Sequence, residues 1–167
     1  VDMQLLSETS SSTALKRIQN GYKHIEKDFR QITKILKDFN FEEPQWENVD
    51  LSALTREVLD EFSDDIERKL QTRFQPAPMH GAKMELQTLI FLLLENAFKY
   101  SKNKVCVRTG QVKGRSYIFL ANDLTTKATQ GTGLGLDIAD KVCSRNGLKF
   151  ISKKKEKGYA AIIRCYK

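Results

Sequence analysis

The sequence predicts an α+β sandwich, a mixed and largely antiparallel sheet packed on helices, preceded by one long heptad-patterned helix. Three observations lead there. Leu15, Ile18, Tyr22, Ile25, Phe29, Ile32, Leu36 and Phe39 follow one another at spacings of 3, 4, 3, 4, 3, 4 and 3, which lines them along one seam of a helix. A second, very apolar stretch, from about residue 83 to residue 100, has the length of a buried helix. Around it lie short strand-like runs separated by turn residues.

The elements follow in order. Ser11, Ser12 and Thr13 offer N-caps for the first helix, which runs out near Phe41, before Glu42, Glu43 and Pro44. One helix alone cannot bury such a seam, so a partner helix is expected, from a missing segment or from a second copy. The reading places part of a dimerisation hairpin in residues 1–44 and a second domain in residues 45–167. Residues 46–51 read as a strand, with Trp46 a packing residue at the junction of the two domains. Ser52 then caps a helix with Leu54, Val58, Leu59, Phe62 and Ile66 on one face. Leu70, Thr72 and Phe74 predict a second strand, closed by Pro76 and Pro78. After the apolar helix, residues 104–108 and 115–121 read as strands around Lys113-Gly114. Another helix opens at Gly131-Thr132-Gly133-Leu134-Gly135-Leu136 and runs to about Asn146. Residues 149–152 and 159–166 close the chain as a hairpin around Lys157-Gly158.

Composition narrows the class. With 167 residues, 40% of them hydrophobic and 29% charged, the chain is neither disordered, nor collagenous, nor a small disulfide scaffold. Its longest apolar run, residues 89–94, is far short of the ~20 residues that a membrane-crossing helix needs. The first thirteen residues lack the basic start and apolar middle of a signal peptide, and a valine at position 1 points to a piece of something longer. Net charge is +7 overall but unevenly placed: residues 1–50 carry seven Lys/Arg against nine Asp/Glu, residues 51–167 twenty-one against twelve. The basic portion favours an anionic partner without choosing which. Cys106, Cys143 and Cys165 match no zinc spacing and read as buried thiols in a reducing compartment. The Lys153-Lys154-Lys155-Glu156-Lys157 tip has no interleaved aromatics, so it reads as a solvated turn rather than a nucleic-acid site.

Two segments carry chemistry. Alternating glycines at 131, 133 and 135 leave backbone N–H groups uncovered just where a helix begins, and the helix start adds partial positive charge. That suits a phosphate; by itself the segment reads equally as a flexible turn. It is neither a Walker loop nor a dinucleotide fingerprint, since no Gly-Lys-Ser/Thr follows and Leu136 takes the third glycine position. The other segment is Glu95-Asn96-Ala97-Phe98-Lys99-Tyr100-Ser101. Asn96 lies just past the apolar run of residues 89–94, after Glu95, and an amide oxygen is a hard ligand fit for Mg²⁺. Lys99 lies on the same helix face and can meet a phosphate as a point charge. Taken alone, the pair also reads as a polar helix end.

In that order, the Asn-Ala-x-Lys-Tyr-Ser helix, a polar residue ending a strand, and the Gly-Thr-Gly-Leu-Gly-Leu helix start resemble the catalytic ATP-binding domain of bacterial sensor histidine kinases, which has the Bergerat fold. The heptad helix followed by Trp46-x-x-Val49-Asp50-Leu51 is similar to the second hairpin helix of their dimerisation domain and the link after it. The resemblance spans about residues 14–167. It implies that Asn96 holds Mg²⁺, that Lys99 and Tyr100 line the ATP phosphates and sugar, and that Gly131, Gly133 and Gly135 form a backbone wall with Thr132 and Leu134 beside the nucleotide. Asn122 lines up with the family's adenine-reading aspartate, with Asp123 the alternative if the register slips by one. An asparagine carbonyl still accepts from the adenine amino group.

Four departures from the family pattern stand out. Leu92 sits four residues before Asn96, where these kinases place another Asn and the hydrolysing branches of the fold a catalytic Glu; without a carboxylate to activate water, hydrolysis is disfavoured. Leu124 replaces the glycine of the first glycine box. Only residues 124–130 separate Asp123 from Gly131, a very short lid. Neither histidine fits the phosphoacceptor motif: His24 flanks the heptad seam, and His80 reads as a loop residue. The resemblance therefore implies the ATP-binding portion of a two-component kinase whose acceptor His lay on a missing upstream helix. It further implies a homodimer through the heptad helix, a response-regulator receiver domain as partner, and a place in the cytoplasmic part of a membrane-anchored sensor, with no nucleic acid and no direct membrane contact. The alternative is a degenerate module without nucleotide, used for dimerisation and regulator docking.

Overall fold

A computed structural model describes residues 44–62, 70–124 and 134–166, together with Leu15. The chain divides into Val1–Glu42 and Glu43–Lys167. Of the first unit only Leu15 is described, helical and exposed, so the heptad seam otherwise lies outside the described residues. Every described strand belongs to the second unit.

Strand β1 (Trp46–Asp50) leads straight into helix α1 (Leu51–Leu59). The cap is Asp50 rather than Ser52: its Oδ1 accepts from the Ser52 N–H at 2.9 Å and from the Ala77 N–H at 2.9 Å. Ser52 itself is buried inside the first turn. A carboxylate here satisfies one orphan donor of the helix and pins a remote segment as well. Leu51, Leu54 and Val58 form the buried stripe. The helix stops at Leu59, and Phe62, beyond it, stacks on Phe91 and tilts against Phe98.

Strand β2 (Leu70–Arg73) is followed by β3 (Pro78–Ala82), a strand that the sequence pattern does not predict. Pro78 starts β3 instead of closing β2, because proline is tolerated at the first residue of a strand. β3 pairs antiparallel with β1 as a two-stranded ribbon. His80 is thus a strand residue, its ring 5.9 Å from that of Trp46. Trp46 is 45% exposed, and only the Val49 end of β1 turns into the core.

Helix α2 (Lys83–Tyr100) has the bounds the apolar run predicts. Leu86, Leu89, Ile90, Leu92 and Leu94 are all at most 1% exposed, and each fully buried side chain of this kind contributes about 1.5–3 kcal/mol. The helix packs on α1, on β5 and on helix α3 (Leu134–Arg145). Beyond α2 run β4 (Val105–Val112), β5 (Arg115–Asp123), β6 (Leu148–Lys155) and β7 (Gly158–Cys165). The β4–β5 turn, Lys113-Gly114, has φ of 52° and 75°, the positive pair that a tight two-residue hairpin requires.

The five-stranded sheet has the order β2-β4-β5-β7-β6. β2 and β4 run parallel and every other pair antiparallel. Period-2 alternation puts Val105, Val107, Ile118, Leu120, Ala161 and Ile163 on the helix-covered face. No helix among the described residues is long and apolar enough to cross a membrane.

Candidate functional site

Three segments remote in sequence meet at one end of the sandwich: the last turns of α2, the end of β5 and the first turn of α3. The first contact is between Gly135 and Asn96. A Cβ on Gly135 would come within 3.1 Å of Asn96 Nδ2, so the absence of a side chain lets α3 begin against the amide. Asn96 and Tyr100 are half-buried, while Lys99 is exposed. The Lys99 ammonium lies 5.6 Å from the centre of the Tyr100 ring, a cation–π distance.

The second contact ties β5 to the segment leaving α2. One oxygen of Asp123 accepts from the Ser101 hydroxyl at 3.1 Å and from the backbone N–H groups of Lys102, Asn103 and Lys104 at 3.0, 3.1 and 3.0 Å, and the other from Asn103 N–H at 2.9 Å. Burial pushes this carboxyl upward, but the hydrogen bonds from Lys104, Asn103, Ser101 and Lys102 outweigh it and hold the group below the ordinary aspartate value of 3.8. Asp123 is occupied as a clamp on residues 101–104.

Asn122, the neighbouring residue, faces the other way. It is 7% exposed on the helix-covered face, and its amide donates to the Asp123 carbonyl at 2.7 Å. That bond turns the amide oxygen away from the carbonyl, leaving it to serve as an acceptor. Tyr159 stands directly opposite Asn122 in the β5–β7 ladder, and its buried hydroxyl has no hydrogen-bond partner among the described residues. Burial raises the phenol above its ordinary value; a weak approach of Ser152 counters that only in part. Sequence reasoning missed Tyr159, and no local signal marks it, because its position depends on strand register.

A buried polar cluster fixes how α2 and α3 sit together. Ala82, at the start of α2, has no capping side chain. Asn146, just past α3, supplies one: its Oδ1 accepts from the Ala82 N–H at 2.8 Å while its Nδ2 donates to Glu85 Oε2 at 2.8 Å. Arg145 completes the cluster with an ion pair to Glu85 at 2.9 Å. Gly147, with φ of 63°, then ends α3 in the left-handed region that favours glycine.

Of the residues named from sequence, Asn96, Lys99, Tyr100, Asn122, Asp123 and Gly135 are described. Leu134 begins α3, its side chain outside the description, and Gly131, Thr132 and Gly133 lie outside the described residues. Leu92 is 1% exposed and sealed in the core. Among the described residues no group of three His, Cys, Asp or Glu side chains could cage a metal ion. The Asn96 amide is a hard oxygen donor of the kind that Mg²⁺ accepts.

This mixed, antiparallel-rich sheet with helices on one face has the fold of a histidine kinase catalytic domain. No protein-family model matches the chain. Among curated proteins it is similar to the sensor histidine kinase YkoH of Bacillus subtilis (strain 168), 22% identical over 165 residues, which cover 85% of this chain and 36% of that protein. The mycobacterial sensor histidine kinase MprB superposes with a TM-score of 0.62 at 19% identity, covering 72% of this chain and 97% of that one. Full-length ShkA in complex with AMPPNP gives 0.64 at 16% identity, covering 81% of this chain and 35% of that one. The predicted fold and the resemblance to histidine kinase ATP-binding domains are borne out. The chain spans only 36% of the length of its curated relative.

Proposed function

We propose that this chain is the ATP-binding catalytic portion of a two-component sensor histidine kinase. The observation that carries the reading is the close approach of Gly135 to the Asn96 amide, which joins the two motifs that in combination mark a nucleotide site. In this reading the Asn96 amide oxygen holds Mg²⁺ and the positive end of α3 faces the phosphates, with the backbone of Gly131, Gly133 and Gly135 as the wall. Thr132 and Leu134 lie beside the nucleotide, Lys99 and Tyr100 near its phosphates and sugar, and the Asn122 oxygen accepts from the adenine amino group. Asp123 shapes the site by clamping residues 101–104 and does not touch the base.

The magnesium ion, when bound, neutralises charge that builds on the phosphoryl oxygens. The chain's own residues position and shield the nucleotide. Leu92 puts hydrocarbon where a water-activating carboxylate would stand, so transfer goes to a separate nucleophile. An imidazole nitrogen on an upstream helix attacks the γ-phosphorus as its bond to the β,γ-bridging oxygen breaks; ADP leaves, and the phosphoryl passes on to an aspartate of a response regulator. Dimerisation through the heptad helix and a cytoplasmic location belong to the same proposal.

The buried Leu92 and the replacement of the box glycine by Leu124 favour a second reading, a nucleotide-free docking module. Calorimetric titration with AMPPNP, with and without Mg²⁺, separates the two. Mg²⁺-assisted binding supports the kinase; no heat, and no competition by ADP, leaves the docking module. Phosphorylation on histidine after the upstream helix is restored tests the transfer itself.

A further inference from the structure

The sheet has a second face, on the side away from the helices. Four of its strands contribute an apolar floor: half-buried Phe119 lies opposite half-buried Ile162, and Ile162 opposite exposed Ile151, in one row across the sheet. The adjacent row is small, Cys106, Ala121 and Ala160. Around this floor stand six exposed cations, Arg73, Arg108, Arg164, Lys149, Lys153 and Lys155. Among the described residues none of the six is in an ion pair, and the carboxylate at this face, Asp123, is taken up by residues 101–104.

Edge protection explains part of the pattern, since lysines on an edge strand such as β6 deter pairing with another sheet. It does not explain Arg108 and Arg164, which lie on the interior strands β4 and β7. Each stands directly opposite another cation: Arg73 faces Arg108 across β2–β4, and Lys149 faces Arg164 across β6–β7. Like charges directly opposite one another destabilise a sheet, so an anionic partner would relieve what the free face does not.

We propose that this face docks an acidic, amphipathic helix of a partner protein, its apolar ridge on the Phe119–Ile162–Ile151 row and its carboxylates against Arg108 and Arg164. A floor half-buried at Phe119 and Ile162, inside an exposed rim, takes a ridge better than a plane, which favours a helix over a lipid surface. This surface is distinct from the proposed nucleotide site and stands whether or not that site binds ATP.

The test uses the 167-residue chain and two synthetic 18-residue helical peptides with leucines at i, i+3, i+4 and i+7. One has flanking glutamates and the other flanking lysines. Fluorescence anisotropy gives affinity, and amide chemical shifts in the ¹⁵N-labelled chain give location. The expected result is binding of the glutamate peptide only, with shifts centred on Phe119 and Ile162. Arg108→Glu with Arg164→Glu should weaken it at least tenfold, while Lys83→Glu with Lys141→Glu, the same change in net charge on the helix side, should change it less than twofold. Equal weakening by both pairs, shifts on other elements, or no binding overturns the proposal. So does tighter, Arg108/Arg164-dependent sedimentation with phosphatidylglycerol vesicles, which would assign the face to lipid. If the reversed pair fails to fold, Arg108→Gln with Arg164→Gln asks the same question.

Discussion

Gly135 and Asn96 approach so closely that a single methyl group on the glycine would stand 3.1 Å from the asparagine amide nitrogen. Two segments that look unrelated in the chain are thereby brought together, and the glycine is needed for space rather than for backbone freedom.

Gly135→Ala should therefore leave the fold intact and displace the Asn96 amide by a few tenths of an ångström. The expected outcome is a melting temperature within a few degrees of wild type and AMPPNP binding weakened about tenfold or more, or ~1.4 kcal/mol. Calorimetry beside a thermal melt checks it; unchanged affinity would mean the amide does not face the nucleotide.

Asp123→Asn should cost about 2 kcal/mol at neutral pH, because an amide offers one accepting oxygen where the carboxylate offers two to charge-assisted bonds. The sign with pH follows from the depressed folded value. The carboxylate's contribution is complete above the ordinary value of 3.8 and is lost as pH falls through the lower folded value. Urea midpoints of the two proteins should stay apart by a constant amount above about pH 5 and converge below that. A gap that persists undiminished at pH 3 would contradict the clamp.

Asn146→Ala strands the Ala82 N–H and one oxygen of the buried Glu85, for an expected loss of about 2–3 kcal/mol by denaturant unfolding. Asn146→Asp should be at least as damaging, since it sets a second carboxylate against Glu85.

Leu92, at 1% exposure, should lose about 2–5 kcal/mol on truncation to Ala. Leu92→Glu, which restores the residue type of the hydrolysing branches, should destabilise the fold by burying a charge and, where the protein still folds and binds ATP, should introduce slow phosphate release. No ATP turnover in a folded, ATP-binding Leu92→Glu protein would overturn the reading that the missing carboxylate is what bars hydrolysis.

Burial, with Asp140 adding to it, raises the Cys143 thiol to about 12. At pH 8 it should react with a thiol reagent no faster than the chain unfolds, while Cys106, half-buried on the open sheet face, reacts in the native state. Mass mapping of the labelled cysteines distinguishes them.

The buried helix from Lys83 to Tyr100, the β4–β5 hairpin and the outline of the sheet are legible in the residues alone. These rest on signals carried by neighbouring residues: an unbroken apolar run, period-2 alternation, and a Lys-Gly pair at a turn. Asn96 and Gly135 are legible too, but as members of separate motifs. The β3 strand escaped because prolines and glycine break its local pattern, and its pairing with β1 joins segments far apart in the chain. Asp123's role escaped for a similar reason: its four donors lie about twenty residues upstream, beyond any local reading. Tyr159 opposite Asn122, Asn146 capping a helix that begins at Lys83, and the opposed arginines of the outer face all depend on register. Local chemistry chooses the elements; which side chains meet is left to the tertiary fold, because strand pairing and helix packing are set by the whole core at once.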